Sequence, residues 1–257
     1  MSSACTRGGA AESSLDEIEA NDSLPQAVKT LVKAVVENDS VGFANLMSYP
    51  IQRPYPLHDV ENSEEMRSYY PKLVDDSLRQ AISHSRPDEW QRQGWRGWSV
   101  KNGEYVWVDE SVYDVPYLSR REKSTRDSLM KCEMESLAPS MRDGGWIPEG
   151  CYSHKGGNQI YRIDRRDEKE GQVYRLAVYP DHQHMGQDPE HILRGHQEAD
   201  GTAVMVTYFF DGDDGSKAEF TPAPDDDSVP TIYFTTPDGK ETPIEVKAEY
   251  WLDILGK

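Results

Sequence analysis

The chain has 257 residues, and its 46 acidic side chains outnumber its 28 lysine and arginine side chains to give a formal net charge of −18. Such a charge repels phosphate backbones and anionic lipid headgroups, so we expect no nucleic-acid partner and no direct binding to a membrane surface. A hydrophobic content of 36% is enough for packed cores. No stretch approaches the roughly 18 consecutive apolar residues that indicate a membrane span.

Residues 1–23 are rich in serine, glycine, alanine and acidic residues, which predicts a disordered tether. Cys5 follows the small residues Ser2, Ser3 and Ala4 and precedes a polar stretch, as at the lipid-attachment junction of a bacterial lipoprotein. The apolar export segment that precedes such a junction is not in the sequence as given. Two interpretations stay open: Cys5 is a lipidation site behind a missing export segment, or it is an ordinary tail residue.

Two amphipathic helical patterns follow the tether. Val28–Val36 carries apolar residues at i, i+3, i+4, i+7 and i+8, and a shorter helix is predicted around Phe43–Met47. Asn62 gives a capping signal for a third helix that continues to Ile82, and Pro71 is expected to kink or restart it. A Trp-rich strand pair around Asn102-Gly103 then predicts a hairpin.

The second half of the chain changes character. Residues 117–139 predict a connecting helix, within a connector of residues 117–145. Six short strand patterns with turn signals between them predict a small antiparallel barrel or sandwich over residues 146–257. The predicted strands are Gln159–Ile163, Val173–Tyr179, Ala203–Phe210, Ala218–Thr221, Thr231–Thr235 and Ile244–Trp251.

The first half carries a family resemblance. Its motifs are Val36-Glu37-Asn38-Asp39, Leu46–Pro50, Asn62–Met66 with Tyr69-Tyr70, and the pair from Trp98 to Trp107. In this order they resemble the nuclear transport factor 2-like superfamily, and they are similar to uncharacterised cell-envelope proteins of Gram-negative bacteria within it. The resemblance covers about residues 25–115.

The resemblance implies a fold. We expect an α+β protein in which residues 24–116 form a cone-shaped, helix-wrapped, curved antiparallel sheet, followed by the small all-β domain. Enzymes of the superfamily place an Asp base, a His-Asp pair or Tyr donors in the cone, and no such motif is matched residue by residue here.

Candidate site residues fall within the expected cone. Aromatic side chains there are expected either to line a ligand pocket or to form the core. The titratable candidates for acid/base catalysis are His58, His84 and Asp109. The ligand-binding candidates are Tyr69, Tyr70, Trp95, Trp98, Tyr105 and Trp107.

A histidine-rich segment suggests a second site. His182 and His184 alternate as metal ligands on a strand do, with His191 and His196 nearby. Residues 180–189 contain two prolines and a glycine, which is typical of a loop. We therefore favour solvated loop histidines over a metal site. No metal or cofactor is therefore expected. A disulfide between Cys132 and Cys151 is left open by the sequence.

These patterns lead to a functional hypothesis. We expect a non-catalytic binding or interaction protein of the bacterial cell envelope, possessing a lipid anchor at Cys5 if an export segment precedes it and cytoplasmic otherwise. Its partner would be a small molecule or an envelope protein, and homo-oligomerisation is left open. The alternative is an enzyme that uses the cone for proton transfer or dehydration.

Overall fold

The computed structural model describes residues 7–199, 206–222 and 229–256, with side chains from Ser14 onward. The chain divides into two compact units, Met1–Arg126 and Asp127–Lys257. We call them the N-terminal unit and the barrel unit. No helix of the described ranges is both long enough and apolar enough to cross a membrane.

Five helices begin the N-terminal unit, and side-chain caps fix where three of them start. Asp39 accepts hydrogen bonds from the N–H groups of the turn that follows it, and Asn62 and Asp75 do the same. Because these caps satisfy N–H groups that the helix cannot, the polar breaks in the sequence set the helix boundaries. The helices are α1 (Arg7–Ala20), α2 (Gln26–Val36), α3 (Ser40–Asn45), α4 (Ser63–Leu73) and α5 (Asp76–Ser83).

Two local predictions are corrected here. Helix α1 occupies most of the segment predicted as a tether, with Ile18 fully buried and the Ser14 hydroxyl donating to the carbonyl oxygen of Ser85. The composition concealed the helix because few of its residues are large and apolar. The break expected at Pro71 lies further on: Pro71 is inside α4, and the helix restarts after Val74 and Asp75.

A small four-stranded antiparallel sheet follows the helices, in the order β1-β2-β3-β4. The predicted hairpin is present, with Trp98 paired to Val108, and Asn102 in its loop has a φ of 56°. The helices and the sheet share one apolar core that includes Val28, Phe43 and Met66. The strands are β1 (Trp90–Arg92), β2 (Trp98–Val100), β3 (Trp107–Val108) and β4 (Val112–Asp114).

The rest of the chain builds a closed eight-stranded antiparallel barrel. Each strand pairs with its neighbours in the sequence, and the last pairs with the first, so the connectivity is up-and-down. Helices α6 (Arg120–Ser136) and α7 (Pro139–Arg142) precede the barrel, and α8 (Trp251–Ile254) follows it. The strands are β5 (Ile147–His154), β6 (Ile160–Glu168), β7 (Gly171–Tyr179), β8 (His191–Ala199), β9 (Val206–Gly212), β10 (Lys217–Phe220), β11 (Thr231–Thr235) and β12 (Glu241–Glu249).

Both faces of strand β6 are buried, for different reasons. Tyr161 and Ile163 belong to the apolar core of the barrel. Arg162 and Asp164 alternate with them and therefore point outward, yet neither side chain is exposed. Arg162 pairs with Glu133 of α6 there, so α6 covers this outer face.

The predicted fold class is wrong. The protein is an α+β structure made of helices, a separate four-stranded sheet and a closed eight-stranded barrel, and not a cone followed by a small all-β domain. Strands of two or three residues are too short to curve around a pocket. The strand patterns do not reveal β5 and β8, because Pro148 and Gly150 interrupt the first and polar residues dominate the second. Residues 203–205 of a predicted strand lie outside the described ranges.

Candidate functional site

An open groove of about 840 Å³ runs along α5 in the N-terminal unit. Its walls come from α5, from the end of α2 and from the loop between β2 and β3. We call it the α5 groove. It is lined by Val35, Val36, Asp76, Ser77, Arg79, Gln80, Ala81, Ser83, His84, Lys101 and Tyr105.

The solvent-facing side of helix α5 forms one wall of the groove. Leu78 and Ile82 are buried in the core of the unit, and the helical repeat turns Gln80, Ala81 and His84 away from that core. The Asp75 cap fixes the first turn of the helix. The amphipathic pattern of this segment therefore places a mixed polar and apolar surface along the groove.

Tyr105 forms the aromatic wall of the groove, and its ring is braced from behind. It stacks on Tyr117, with ring centroids 5.0 Å apart and planes 17° from parallel. The Tyr117 hydroxyl donates to both oxygens of Asp75, at 2.9 and 3.0 Å. Burial, reinforced by the Asp75 carboxylate, raises the pKa of Tyr117 to about 12, so its hydroxyl stays a donor at neutral pH.

Two basic side chains line the groove. The Arg79 guanidinium donates to the carbonyl oxygen of Val35 at 3.0 Å and to Oδ1 of Asn38 at 2.8 Å, which anchors it at the C-terminal end of α2, where cations are favoured. Lys101 lies at the rim, with Nζ 3.3 Å from an Oε1 of Glu89. Among the lining residues these two cations face the single carboxylate of Asp76.

His84 is the one acid/base candidate that lines the α5 groove. Its Nδ1 lies 3.0 Å from the Ser83 hydroxyl, and its side chain is exposed. His58 and Asp109 are exposed residues elsewhere in the unit and are not among the lining residues. The three candidates therefore do not form one acid/base constellation.

The six aromatic candidates do not share one pocket. Only Tyr105 lines the α5 groove. Tyr70 is a core residue, with its ring edge-on to Phe43 at 5.0 Å. Trp98 is partly buried against the same core. Trp107 is half-buried, whereas Trp95 is 75% exposed on the surface.

Tyr69 belongs to a buried polar cluster that the sequence reasoning missed. Its hydroxyl donates to Oε1 of Glu122 at 2.8 Å, and Glu122 pairs with Arg53 at 2.7 Å. Burial, followed by the Glu122 charge, raises the pKa of Tyr69. Ser119 and Glu122 form a reciprocal cap at the start of α6, and the Ser-x-x-Glu spacing is a sequence signal that could have revealed it. Arg53 also donates to the carbonyl oxygens of Val115 and Tyr117, and these bonds between distant segments indicate a structural role for the cluster.

The histidine segment places its two candidates in a short turn. His182–His184 forms one turn of 3-10 helix, and His184 Nδ1 lies 2.7 Å from Oδ1 of Asp181. His191 and His196 lie on strand β8. Across residues 7–199, 206–222 and 229–256, no group of three or more His, Cys, Asp and Glu residues could hold a metal ion.

Two of the three cysteines, Cys132 and Cys151, lie in the described part of the chain. Cys132 is an exposed free thiol, and Cys151 is a buried free thiol. The disulfide that the sequence left open is therefore not formed. Cys5, the predicted lipidation site, lies outside the described residues.

Comparisons with known proteins give no further guide to the site. A scan against protein-family models found no match, and searches of curated proteins and of solved structures found none either.

Proposed function

We propose that this is a non-catalytic binding protein that holds a small ligand in the α5 groove. The observation that carries the proposal is the braced ring of Tyr105, in the same groove as apolar Val36 and Ala81 and the cations of Arg79 and Lys101. A groove of 840 Å³ falls within the range of roughly 300–1,000 Å³ that is typical of small-molecule sites.

The lining indicates the chemistry of the ligand. An aromatic wall and aliphatic patches favour a flat apolar body. Arg79 and Lys101 favour an anionic substituent, which would compete with Glu89 for Lys101, in a chain whose net charge of −18 otherwise repels anions. We infer a small aromatic or cyclic acid as the ligand class.

Two related dyes test this proposal on the full chain. Anilinonaphthalene sulfonate has a flat apolar body and an anionic group, and phenylnaphthylamine has the same ring system without the charge. We expect the sulfonate to bind more tightly, with a fluorescence increase on binding. Equal affinities of the two dyes would contradict an anion-selective groove.

Two substitutions assign the binding to the groove. Tyr105→Ala should raise the dissociation constant of the sulfonate dye about tenfold, which corresponds to ~1.4 kcal/mol. Lys101→Ala should weaken the binding of the sulfonate dye and leave the affinity for phenylnaphthylamine unchanged. Lys217→Ala is the matched control, since Lys217 is also an exposed lysine, with a carboxylate oxygen of Asp211 at 3.4 Å. An equal effect of the two lysine variants would place the dye elsewhere.

The cellular location is a separate part of the proposal. The resemblance of residues 25–115 to cell-envelope proteins supports an envelope location with Cys5 as the lipid anchor, and that resemblance stays a prediction. Fractionation of the natural producer, with metabolic labelling by a fatty acid, tests this location. Label that persists after Cys5→Ser, or a wholly cytoplasmic protein, would remove it.

Catalysis is not proposed. The enzyme alternative needs a positioned acid/base pair, and His84 is the only one of its three candidates on the α5 groove.

A further inference from the structure

Two tyrosine side chains point into the barrel and yet touch solvent. Tyr152 pairs with Tyr161 across β5 and β6, and Tyr208 pairs with Phe220 across β9 and β10. Paired residues of neighbouring strands lie on the same face of a sheet, and both Tyr161 and Phe220 belong to the apolar core of the barrel. Tyr152 and Tyr208 therefore point inward. Both are only partly buried, so solvent reaches the lumen of the barrel beside them.

The ring of Phe220 joins these two tyrosines. Its centroid lies 4.7 Å from that of Tyr152, with the rings edge to face, and 6.5 Å from that of Tyr208. Tyr174 of β7 packs edge-on against Tyr208 at 5.0 Å. Ala248 of β12 pairs with Tyr152 and is exposed, which shows that the lumen is open on this side. We call Tyr152, Tyr208 and Phe220 the lumen site.

The hydroxyls of the lumen site are available to a molecule that enters the barrel. The Tyr174 hydroxyl donates to Oε1 of Gln172 at 2.8 Å. In the parts of the chain that the structure describes, neither Tyr152 nor Tyr208 makes a hydrogen bond through its hydroxyl. Burial raises the pKa of both hydroxyls, so both remain donors at neutral pH. A hydroxyl in an apolar wall stabilises a complex when a ligand atom accepts its hydrogen bond.

The cation nearest to these residues in the strand register is already paired. Arg165 is opposite Tyr174 across β6 and β7, and its Nε lies 2.5 Å from Oε1 of Glu149. Its guanidinium also pairs with Asp167. Two carboxylates against one cation leave no net positive charge to attract an anion. The lumen site therefore favours an uncharged ligand, in contrast to the α5 groove.

We propose that the lumen site binds a small uncharged ring compound that carries an oxygen acceptor for the hydroxyls of Tyr152 and Tyr208. The interior of an eight-stranded barrel is either filled by side chains or holds one small ligand, and the accessible tyrosines and Ala248 favour the second arrangement at this opening. Phe210, which is buried, stacks on Tyr208 with centroids 6.0 Å apart and extends the apolar wall. Aromatic walls favour a flat or cyclic body.

Fluorenone and fluorene test the proposal on the full chain by equilibrium dialysis. The two compounds share a flat ring system, and only fluorenone has a carbonyl oxygen, so we expect fluorenone to bind more tightly. Tyr152→Phe and Tyr208→Phe each remove one hydroxyl and keep the ring. Each should raise the dissociation constant of fluorenone about fivefold to tenfold and leave the affinity for fluorene unchanged.

Unfolding in urea separates a ligand site from a structural role of the hydroxyls. Because neither hydroxyl bonds to a described residue, both phenylalanine variants should keep the wild-type unfolding midpoint or raise it. Tyr233→Phe is the matched control, since Tyr233 is 45% exposed on the opposite face of strand β11 from the buried Ile232. It should change neither the midpoint nor the affinity for fluorenone.

Tyr105→Ala distinguishes the lumen site from the α5 groove, and it should leave the affinity for fluorenone unchanged. Five results would overturn the proposal. They are no measurable binding of fluorenone, equal affinities for fluorenone and fluorene, an unchanged affinity for fluorenone in both phenylalanine variants, a lowered unfolding midpoint in both, and a loss of fluorenone binding in Tyr105→Ala.

Discussion

The hydroxyl of Tyr117 donates to both carboxylate oxygens of Asp75, at 2.9 and 3.0 Å. The same carboxylate caps α5 through the N–H groups of Ser77 and Leu78. Since Tyr105 stacks on Tyr117, one carboxylate fixes both the helix and the aromatic wall of the α5 groove.

Removal of this carboxylate should loosen the groove. Asp75→Ala deletes the cap and the Tyr117 hydrogen bond, and we expect it to lower the free energy of unfolding by about 1–2 kcal/mol. It should also weaken binding of anilinonaphthalene sulfonate. Urea unfolding and dye titration measure the two effects. Asp75→Asn is the control, because asparagine also caps helices, and a loss as large as that of alanine would contradict the capping role.

The charge of Asp75 predicts a dependence on acid. Burial works to raise its pKa, but hydrogen bonds from the backbone of Arg120 and Leu78 and from the Tyr117 hydroxyl hold the pKa below its ordinary value of 3.8. Because the pKa of Asp75 is lower in the folded state, its ionised carboxylate stabilises the fold at pH values above the ordinary pKa. This stabilisation is lost as the pH falls through the folded-state pKa. The stability advantage of wild type over Asp75→Asn should therefore shrink in acid. An advantage that grows in acid would contradict the assignment.

Buried ion pairs lie between α6 and the outer face of the barrel, and we expect a large loss of stability when one is broken. Arg162 pairs with Glu133 and with Asp164, Arg175 also pairs with Asp164, and hardly any part of these side chains is exposed. Arg162→Met removes the cation that pairs with both buried carboxylates, which should cost about 3–5 kcal/mol. The double variant Arg162→Met with Glu133→Leu should recover part of that loss. Guanidinium unfolding measures both, and a small loss for the single variant would contradict a buried pair.

Buried tyrosines predict a loss of stability in alkali. Burial raises the pKa of Tyr161 from 10.0 to about 12, and burial also raises that of Tyr179 to about 12. Because these pKa values are raised in the folded state, the two neutral hydroxyls contribute fully to the free energy of unfolding below pH 10. That contribution is lost as the pH rises toward 12. The free energy of unfolding should therefore decrease over this interval, less steeply in Tyr161→Phe. Tyrosinate absorbance that rises without any loss of stability would contradict the prediction.

The two described thiols should differ in reactivity. Burial raises the pKa of Cys151, and the thiolate is the reactive form, whereas Cys132 is exposed. In a Cys5→Ser chain, a maleimide should label Cys132 under native conditions and Cys151 only after unfolding. Equal labelling rates in the folded protein would show that Cys151 is not buried.

Several local features of the N-terminal unit can be predicted from residue patterns alone. The stripe from Val28 to Val36 gives α2, the polar residues Asp39 and Asn62 cap their helices, and Trp98 and Trp107 flank the predicted hairpin. These features depend on residues close together in the chain, so helical and strand periodicity reveals them.

The way in which these elements combine depends on contacts between distant parts of the chain. Closure of the barrel requires β12 to pair with β5, across nearly the whole unit. The α5 groove likewise requires Tyr105 and Lys101 to meet α5 and the end of α2. Trp95, expected in a pocket with Tyr105, lies on the surface. Periodicity records which side of an element is apolar, and it does not record which distant element covers that side.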